Sequence, residues 1–357
     1  MAGPTPHIKP DRPEPVVTES EPEIVNRKTR PVKVAEQLIA GKYVLVGDQY
    51  RTGLALLKAL KDRIFGSQKE EAFQSYRDKK SVYHHASNRL LAAVKENHLA
   101  LKKSPEIGWL DRLYPDLNEF YLSFPQIQGL NSSWQWYING IEFPVLDFKI
   151  HPWYGTYFPT RFDHLILFDK WLEKYTGSRD QALDIGTGCG VLAFQMLKHG
   201  FGHIHATDIN PNAILSINEE ASQQNALDRI TAHHSDLFEN IDTKADLIVF
   251  NPPWLPAQKE ITGLDHAIYY DEDLFERFFR KAQNYLNEDG KLVLFFSNMG
   301  ETTGTASRHP YDDELANHSR YRKIRVLKRK VKAPSRKTKR RHNRKQEYVE
   351  LWELELK

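Results

Sequence analysis

Leu183-Asp184-Ile185-Gly186-Thr187-Gly188-Cys189-Gly190 decides how the chain reads. An apolar approach leads into it, and the helical run Val191–Leu197 leads out. A strand that ends in a glycine turn at a helix N-terminus brings backbone N–H groups close to a ligand. The spacing is G-x-G-x-G, and Val191 stands where a dinucleotide fingerprint carries its third glycine. Two further signals come after it in order. Asp208 closes the next apolar strand, and Asn251-Pro252-Pro253-Trp254 closes another one two units later.

Around these signals, strands are expected near Gln181–Ile185, His203–Thr207, Ile230–His234, Leu247–Phe250 and Lys291–Phe296. Helices fall between them, the last at about Glu272–Leu286, and another is expected near Asp312–His318. This βαβ rhythm implies an α/β, Rossmann-like fold: a mostly parallel sheet with helices on both faces. Two alternating runs close the chain, Tyr321–Val331 and Tyr348–Leu356. They read as an antiparallel pair at the sheet edge, joined by the basic loop Lys332–Gln346.

The chain before this domain divides into three segments. Residues 1–30 are rich in proline and poor in large apolar residues, which predicts a flexible tail. Residues 31–108 predict a smaller, mainly helical domain. Val34, Leu38 and Ile39 sit at helical spacing, as do Leu54, Leu56, Leu57 and Leu60. A charged helix should run from about Lys69 into Tyr83-His84-His85, and a third should hold Leu90, Leu91, Val94 and Leu99. Residues 109–160 form an aromatic-rich connector, in which Trp134, Trp136, Tyr137 and Phe143 alternate around a hairpin signal, Asn139-Gly140. Its end, His151 to Arg161, leads into a helix expected over Asp163–Tyr175. That end is either a linker packed on the next domain or a cap over a ligand. The main α/β domain then occupies residues 161–357.

At 357 residues the chain has room for two domains. Its 40% hydrophobic and 27% charged residues are ordinary for a globular protein. Cys189 is the single cysteine, which excludes an intramolecular disulfide and a cysteine-based zinc site. No apolar run approaches the ~18 residues of a membrane span, and the first thirty residues lack the apolar core of a signal peptide. A cytoplasmic enzyme without membrane contact is the simplest expectation. The net charge of +3 is uneven: 14 Lys and Arg and no acid lie between Tyr321 and Lys345, which leaves −11 for the remainder. Lys328–Lys345 therefore reads as a contact for a polyanion such as RNA, or as a solvated tail. The pairs His84-His85, His203/His205 and His233-His234 invite a metal reading. No helical His-carboxylate signature accompanies them, and strand neighbours are expected to point to opposite faces, so no metal is expected.

The glycine turn, Asp208 and Asn251-Pro252-Pro253-Trp254 together resemble a class I S-adenosylmethionine-dependent methyltransferase, of the branch that methylates amino nitrogens. Within that branch, Asn251-Pro252-Pro253-Trp254-Leu255-Pro256 and Ser235-Asp236-Leu237-Phe238-Glu239 are similar to the release-factor glutamine methyltransferases. Adenine amino-methyltransferases share the same Asn-Pro-Pro-aromatic loop, and both belong to the methyltransferase small domain group. The likeness is specific over about Tyr154–Asn298 and absent before Trp109. Trp254 replaces the usual tyrosine, and Thr262-Gly263-Leu264-Asp265-His266-Ala267 departs from the usual glycine-rich segment.

The resemblance implies seven strands and S-adenosylmethionine as cofactor. Asp184, Gly186, Thr187, Gly188 and Gly190 would surround its amino acid end. Asp208 would accept both ribose hydroxyls, unless it caps the helix at Pro211. Asp236 would accept the adenine amine and Leu237 would pack on the ring, unless Ser235 or Asp236 is a plain cap. Asn251, with Pro252, Pro253 and Trp254, would be catalytic and would also border the cofactor. The Asn251 side-chain oxygen and the Pro252 carbonyl can take the N–H groups of the target amine, and Trp254 can stack on a planar target. The basic loop points to methylation of an RNA base, an adenine exocyclic amine. Protein glutamine methylation is the alternative, with a ribosome-associated substrate fitting either. A degenerate fold that only binds RNA is the non-enzyme reading, against which Asp184, Gly186, Gly188, Asp208 and Asn251 all stand.

Overall fold

The computed structural model describes residues 8–66, 73–257, 268–304, 309–318, 320–331 and 347–357. The chain separates into two units, Asp11–Trp136 and Tyr137–Lys357, the described residues before Asp11 being grouped with the second.

The first unit is built on a small mixed sheet. Its strands are β1 (Glu23–Val25), β2 (Val44–Val46), β3 (Leu90–Lys95), β4 (His98–Leu99) and β5 (Glu119–Ser123). β1, β2 and β3 run parallel in that order, while β4 and β5 pair antiparallel with β3. Its helices are α1 (Pro31–Ile39), α2 (Tyr50–Phe65), α3 (Phe73–Ser87), α4 (Trp109–Leu113) and α5 (Phe124–Asn139), with the unit boundary at Trp136. Leu56 and Leu60 of α2 are buried, as are Leu90 to Val94 of β3.

Three expectations are corrected here. Leu90, Leu91 and Val94 lie on a strand, not a third helix, because Leu90–Val94 is a continuous buried run in the middle of the sheet. A short apolar run of this kind has no period that separates helix from strand. Trp134, Trp136 and Tyr137 lie on α5, and the hairpin signal Asn139-Gly140 instead ends that helix, Gly140 having φ 64°. The connector therefore starts at about Tyr137, and Trp109 and Trp134 are an edge-to-face pair inside the first unit. The described part of the tail is bound rather than flexible. Arg12 donates to the Leu113 carbonyl and pairs with Asp116, the Pro13 carbonyl accepts from Tyr114, and Val16 N–H donates to the Tyr121 carbonyl. Prolines lack N–H groups, so an extended proline-rich strap leaves few donors to satisfy.

The second unit opens with β6 (Ile141–Glu142) and β7 (Lys149–Ile150), which pair antiparallel, and then α6 (Asp163–Leu172). The α/β alternation comes next: β8 (Gln181–Ile185), α7 (Val191–Lys198), β9 (His203–Asp208), α8 (Pro211–Gln223), β10 (Ile230–His234) and β11 (Ala245–Phe250). After it come β12 (Leu255–Pro256), β13 (Tyr269–Tyr270), α9 (Leu274–Tyr285), β14 (Leu286–Ser297), α10 (Met299–Thr303), α11 (Pro310–Asn317), β15 (Tyr321–Lys330) and β16 (Tyr348–Leu356). The seven-stranded sheet has the order β10-β9-β8-β11-β14-β16-β15. β15 and β16 form the expected antiparallel edge pair. The Lys332–Gln346 loop lies outside the described residues.

Both faces of this sheet are covered. Phe168 and Trp171 of α6, Phe194 of α7 and Ile217 of α8 fill one core. Phe275, Phe278 and Phe279 of α9 and Tyr311 of α11 fill the other. The i, i+3, i+4, i+7 spacing of Phe275, Phe278, Phe279 and Ala282 puts all four on one stripe of α9.

The edge pair carries its own counter-charges. Arg325 pairs with Glu353 at 2.5 Å, Lys328 with Glu350 at 2.7 Å and Arg329 with Asp163 at 3.1 Å. Glu350 also accepts from His309 at 3.0 Å and from Trp352 at 2.7 Å. Burial pushes its carboxyl up, but the hydrogen bonds outweigh it and hold it at about 2. A carboxyl depressed in the fold stabilises it above about pH 4.5, and that contribution is lost as pH falls towards 2. Glu350→Gln should therefore cost about 2 kcal/mol at pH 7 and almost nothing near pH 2. Urea unfolding at the two pH values checks this; an equal deficit at both would contradict it.

Candidate active site

The sheet order fixes where a ligand can enter. The chain runs from β8 outward to β9 and β10, then returns to β11 on the other side of β8. Helices and loops leave in opposite directions at that point, beyond the carboxyl ends of β8 and β11, which is where open α/β sheets bind ligands. Val249 pairs with Asp184 and Phe250 with Ile185, so the glycine turn and Asn251 leave neighbouring strands at one level. Ile185 pairs with Thr207 on the other side, which brings Asp208 to the same edge.

The glycine turn is clamped from within. Asp184 is fully buried, and one oxygen accepts from Thr187 Oγ1 at 2.7 Å and from Ala193 N–H at 3.1 Å. Thr187 N–H donates to the Thr207 carbonyl at 2.8 Å. Gly186 and Gly188 have φ of 66° and 54°, where a side chain is strained. A Cβ on Gly188 would also stand 2.9 Å from the Tyr157 carbonyl. That carbonyl accepts from Cys189 N–H at 3.0 Å. The Tyr154 and Gly155 carbonyls take the side chains of Asn212 and Asn210. The end of the connector thus lies against the glycine turn and the start of α8.

Asp208 is half-buried, and its two oxygens accept from Gly188 N–H at 2.8 Å and Asn210 N–H at 2.9 Å. It is not the cap of α8: Asn210 is, accepting from Asn212 N–H. Burial pushes the Asp208 carboxyl up despite those donors. Asp236 pairs with Arg277 at 2.8 Å, so one of its oxygens is engaged. Leu237 is only 7% exposed and belongs to the core beneath α9, in a left-handed turn with φ 55°. It offers a ligand little surface. Ile209, 56% exposed next to Asp208, offers more, and its position after the strand-end acid was the signal for it. Ser235 is a turn residue whose Oγ accepts from Asn240 N–H at 3.0 Å.

In the Asn251–Trp254 loop, the Asn251 side-chain oxygen and Trp254 Nε1 are buried with no hydrogen-bond partner. The loop continues into β12, which pairs with β13. Trp254 rests edge-to-face on His164, ring centroids 5.7 Å apart. His164 belongs to no motif that the sequence displays. It is 2% exposed, both its nitrogens lack partners, and burial holds it at about 4, hence neutral.

Asp184 Oδ1, Thr156 Oγ1 and Thr207 Oγ1 are likewise buried and unpartnered. Each such atom costs stability unless something answers it. Together with the Asn251 oxygen they fit a polar ligand with cationic and hydroxyl groups, which S-adenosylmethionine has.

The histidine expectation needs one correction. A spacing of two puts His203 and His205 on the same face, and His205 Nδ1 lies 3.0 Å from His233 Nε2. Burial and the neighbouring histidines hold His205 at about 4, so the pair is a hydrogen bond between neutral rings. Among the described residues, Glu276, Glu314 and His318 approach each other closely enough for an ion. Arg320 already supplies the positive charge there, 3.0 Å from Glu276 and 2.6 Å from Glu314.

The Asp184 charge has a testable consequence. Burial pushes its carboxyl up to about 7, against hydrogen bonds from Thr187 and Ala193 that pull it down. A carboxyl raised above its unfolded value of 3.8 penalises the folded state once ionised, so stability falls as pH rises from about 4 to about 7. Asp184→Asn keeps an acceptor and removes the charge. Without ligand, the variant should exceed the parent by about 1–3 kcal/mol at pH 8, with the gain vanishing towards pH 4. Thermal unfolding across that range checks it, and a parent profile no steeper than the variant's would contradict it.

Comparison with known proteins bears on the family of the chain. The methyltransferase small domain model matches residues 165–305. A Methanocaldococcus jannaschii protein that carries the name protein N5-glutamine methyltransferase is 32% identical over 165 residues, which are 44% of this chain and 80% of that protein. The release factor glutamine methyltransferase of Streptococcus pneumoniae is 36% identical over 124 residues, 31% of this chain and 44% of its own length. The chain thus spans most of the first relative and under half of the second. Among solved structures, the ribosomal protein L11 methylase of Lactobacillus delbrueckii subsp. bulgaricus aligns with a TM-score of 0.38 and 18% identity, over 57% of this chain and 81% of that one. With 32% identity across four-fifths of the archaeal protein, the chain belongs to the methyltransferase small domain family of S-adenosylmethionine-dependent N-methyltransferases.

Proposed function

We propose that the enzyme methylates the side-chain amide nitrogen of a glutamine in a protein of the translation apparatus. The observation that carries this is the unspent acceptor of Asn251 beside the glycine turn. The names of the two relatives support the amide as target. A cytoplasmic setting is part of the same proposal; among the described residues no helix is long and apolar enough to cross a membrane. Methylation of an adenine amine in RNA is the second reading. The indole of Trp254 favours it, since a planar base can stack there.

S-adenosylmethionine, when bound, supplies an electrophilic methyl group on a sulfonium. The backbone of Gly186, Thr187, Gly188 and Gly190 would hold its amino acid end, with the free oxygen of Asp184 facing the ammonium. Asp208 would accept the ribose hydroxyls. Asp236 would take the adenine amine with the oxygen that Arg277 leaves, and Ile209 rather than Leu237 would cover the ring.

An amide nitrogen is a poor nucleophile because its lone pair is delocalised. Asn251 Oδ1 and the Pro252 carbonyl, by accepting its two N–H groups, favour a pyramidal nitrogen and aim the lone pair. Pro252 and Pro253 stiffen the loop and present carbonyls without competing donors. Positioning of this kind contributes ~7–11 kcal/mol. Neutral His164 keeps the indole of Trp254 oriented.

Asp208→Ala should weaken S-adenosylmethionine binding by about 1.5–3 kcal/mol, measured by calorimetry; equal affinity would remove Asp208 from the site. Asn251→Ala should keep that affinity and slow methyl transfer about 100-fold or more in single turnover. For the substrate, peptide mass spectrometry of cells lacking the enzyme should show one glutamine that has lost a methyl group. Loss of a methylated adenine instead would move the second reading to first place.

A further inference from the structure

The positive charge expected to attract RNA lies on the edge strand β15 and the loop after it. On β15, Arg322, Arg325, Lys328 and Arg329 are already paired with Glu355, Glu353, Glu350 and Asp163. A different set of cations is not so engaged, and it lies in the first unit. There β1 and β2 run parallel and end side by side. Backbone bonds tie together the turns that leave these two strands. Gly47 N–H donates to the Val25 carbonyl at 2.9 Å, Lys102 N–H to the Asp48 carbonyl at 2.9 Å, and Arg27 N–H to an Asp48 carboxylate oxygen at 2.9 Å. A groove of about 560 Å³ opens there, with Arg27, Asp48, Gln49 and Lys102 in its wall.

We infer that this groove at the carboxyl edge of β1 and β2 is a docking site for the phosphate backbone of RNA, whichever nitrogen the enzyme methylates. Arg27 and Lys102 are exposed, as are Lys28, Arg51 and Lys103, their neighbours in the chain. Ion pairs of this unit such as Arg12–Asp116, Arg63–Glu36 and Lys95–Glu119 use none of these five cations. Arg27 and Lys102, long flexible cations in the wall of an open groove, suit a repeating anionic backbone. The wall has no aromatic side chain and its one leucine, Leu101, is buried, so it lacks the anchor pockets that a peptide's side chains need. Asp48 is the one carboxylate in the wall, and it accepts from Arg27 N–H at 2.9 Å. A carboxylate in a phosphate groove needs a donor from the ligand, and the ribose 2′-hydroxyl is one that DNA lacks.

The test uses the full chain and a labelled single-stranded RNA of about 20 nucleotides, with binding followed by fluorescence anisotropy at several salt concentrations. Arg27→Gln with Lys102→Gln removes two charges without reversing them, and circular dichroism confirms that the variant is folded. It should bind about tenfold more weakly, and the slope of log affinity against log salt should shrink by about 1.4, or 0.7 per phosphate contact. The same loss should appear in a background lacking residues 332–346. DNA of the same sequence should bind more weakly than the RNA. Unchanged affinity with parallel salt slopes would overturn the site, as would RNA binding that disappears entirely with residues 332–346. Equal affinity for DNA would overturn the assignment to RNA.

Discussion

The parallel pairing of β8 with β11 is the constraint on which the rest of this protein depends. It sets Val249 against Asp184 and Phe250 against Ile185. A slip of one residue would turn Leu183 and Ile185 out of one core and Asp184 into it. In the observed register, the glycine turn and the Asn251 loop leave the sheet at the same height, on the two strands between which the chain changes direction. Every candidate contact is then set by the neighbours of that pair. Asp208 arrives because β9 is the other neighbour of β8, and the end of the connector arrives because Tyr157 meets Cys189.

The site holds polar groups at a cost to the fold. Asp184 is buried with one oxygen unanswered, and the Asn251 oxygen, Trp254 Nε1 and both nitrogens of His164 are buried without partners. Such groups are rare in interiors because each loses its bonds to water. Asp184 on β8 and Asn251 at the end of β11 sit across this strand pair, so an acceptor on each faces the same end of the sheet, as a polar, partly cationic ligand requires. The same logic runs in reverse at the sheet edge. There Glu350, Glu353 and Glu355 on β16 pair with Lys328, Arg325 and Arg322 of β15, so these charges support the hairpin.

The α/β unit was largely legible. Gln181–Ile185 and Ile230–His234 end where the sequence placed them, because each apolar run is bounded by a turn residue or charge. The first unit was less so. Leu90–Val94 carries no period that tells a buried strand from a helix, and Trp134 to Tyr137 alternate in a way that a helix end can also satisfy. The proline-rich start gave no sign that Arg12 and Val16 would bind to it, because those contacts reach more than a hundred residues along the chain. Among the candidate site residues, Asp184, Gly186, Gly188, Asp208 and Asn251 stood out through spacing. His164 did not, since it belongs to no motif and stands out only through its contact with Trp254. Leu237 was expected against a ligand's ring, whereas its left-handed turn directs it into the core.

The measurement that bears most directly on the central claim is a crystal structure with the demethylated cofactor, S-adenosylhomocysteine. The ribose hydroxyls should lie within hydrogen-bond distance of Asp208, the amino acid end should lie against Gly186 to Gly190, and the sulfur should face Asn251. A ligand bound elsewhere, or one whose sulfur points away from the Asn251–Trp254 loop, would contradict the assignment of this end of the sheet as the methyl-transfer site.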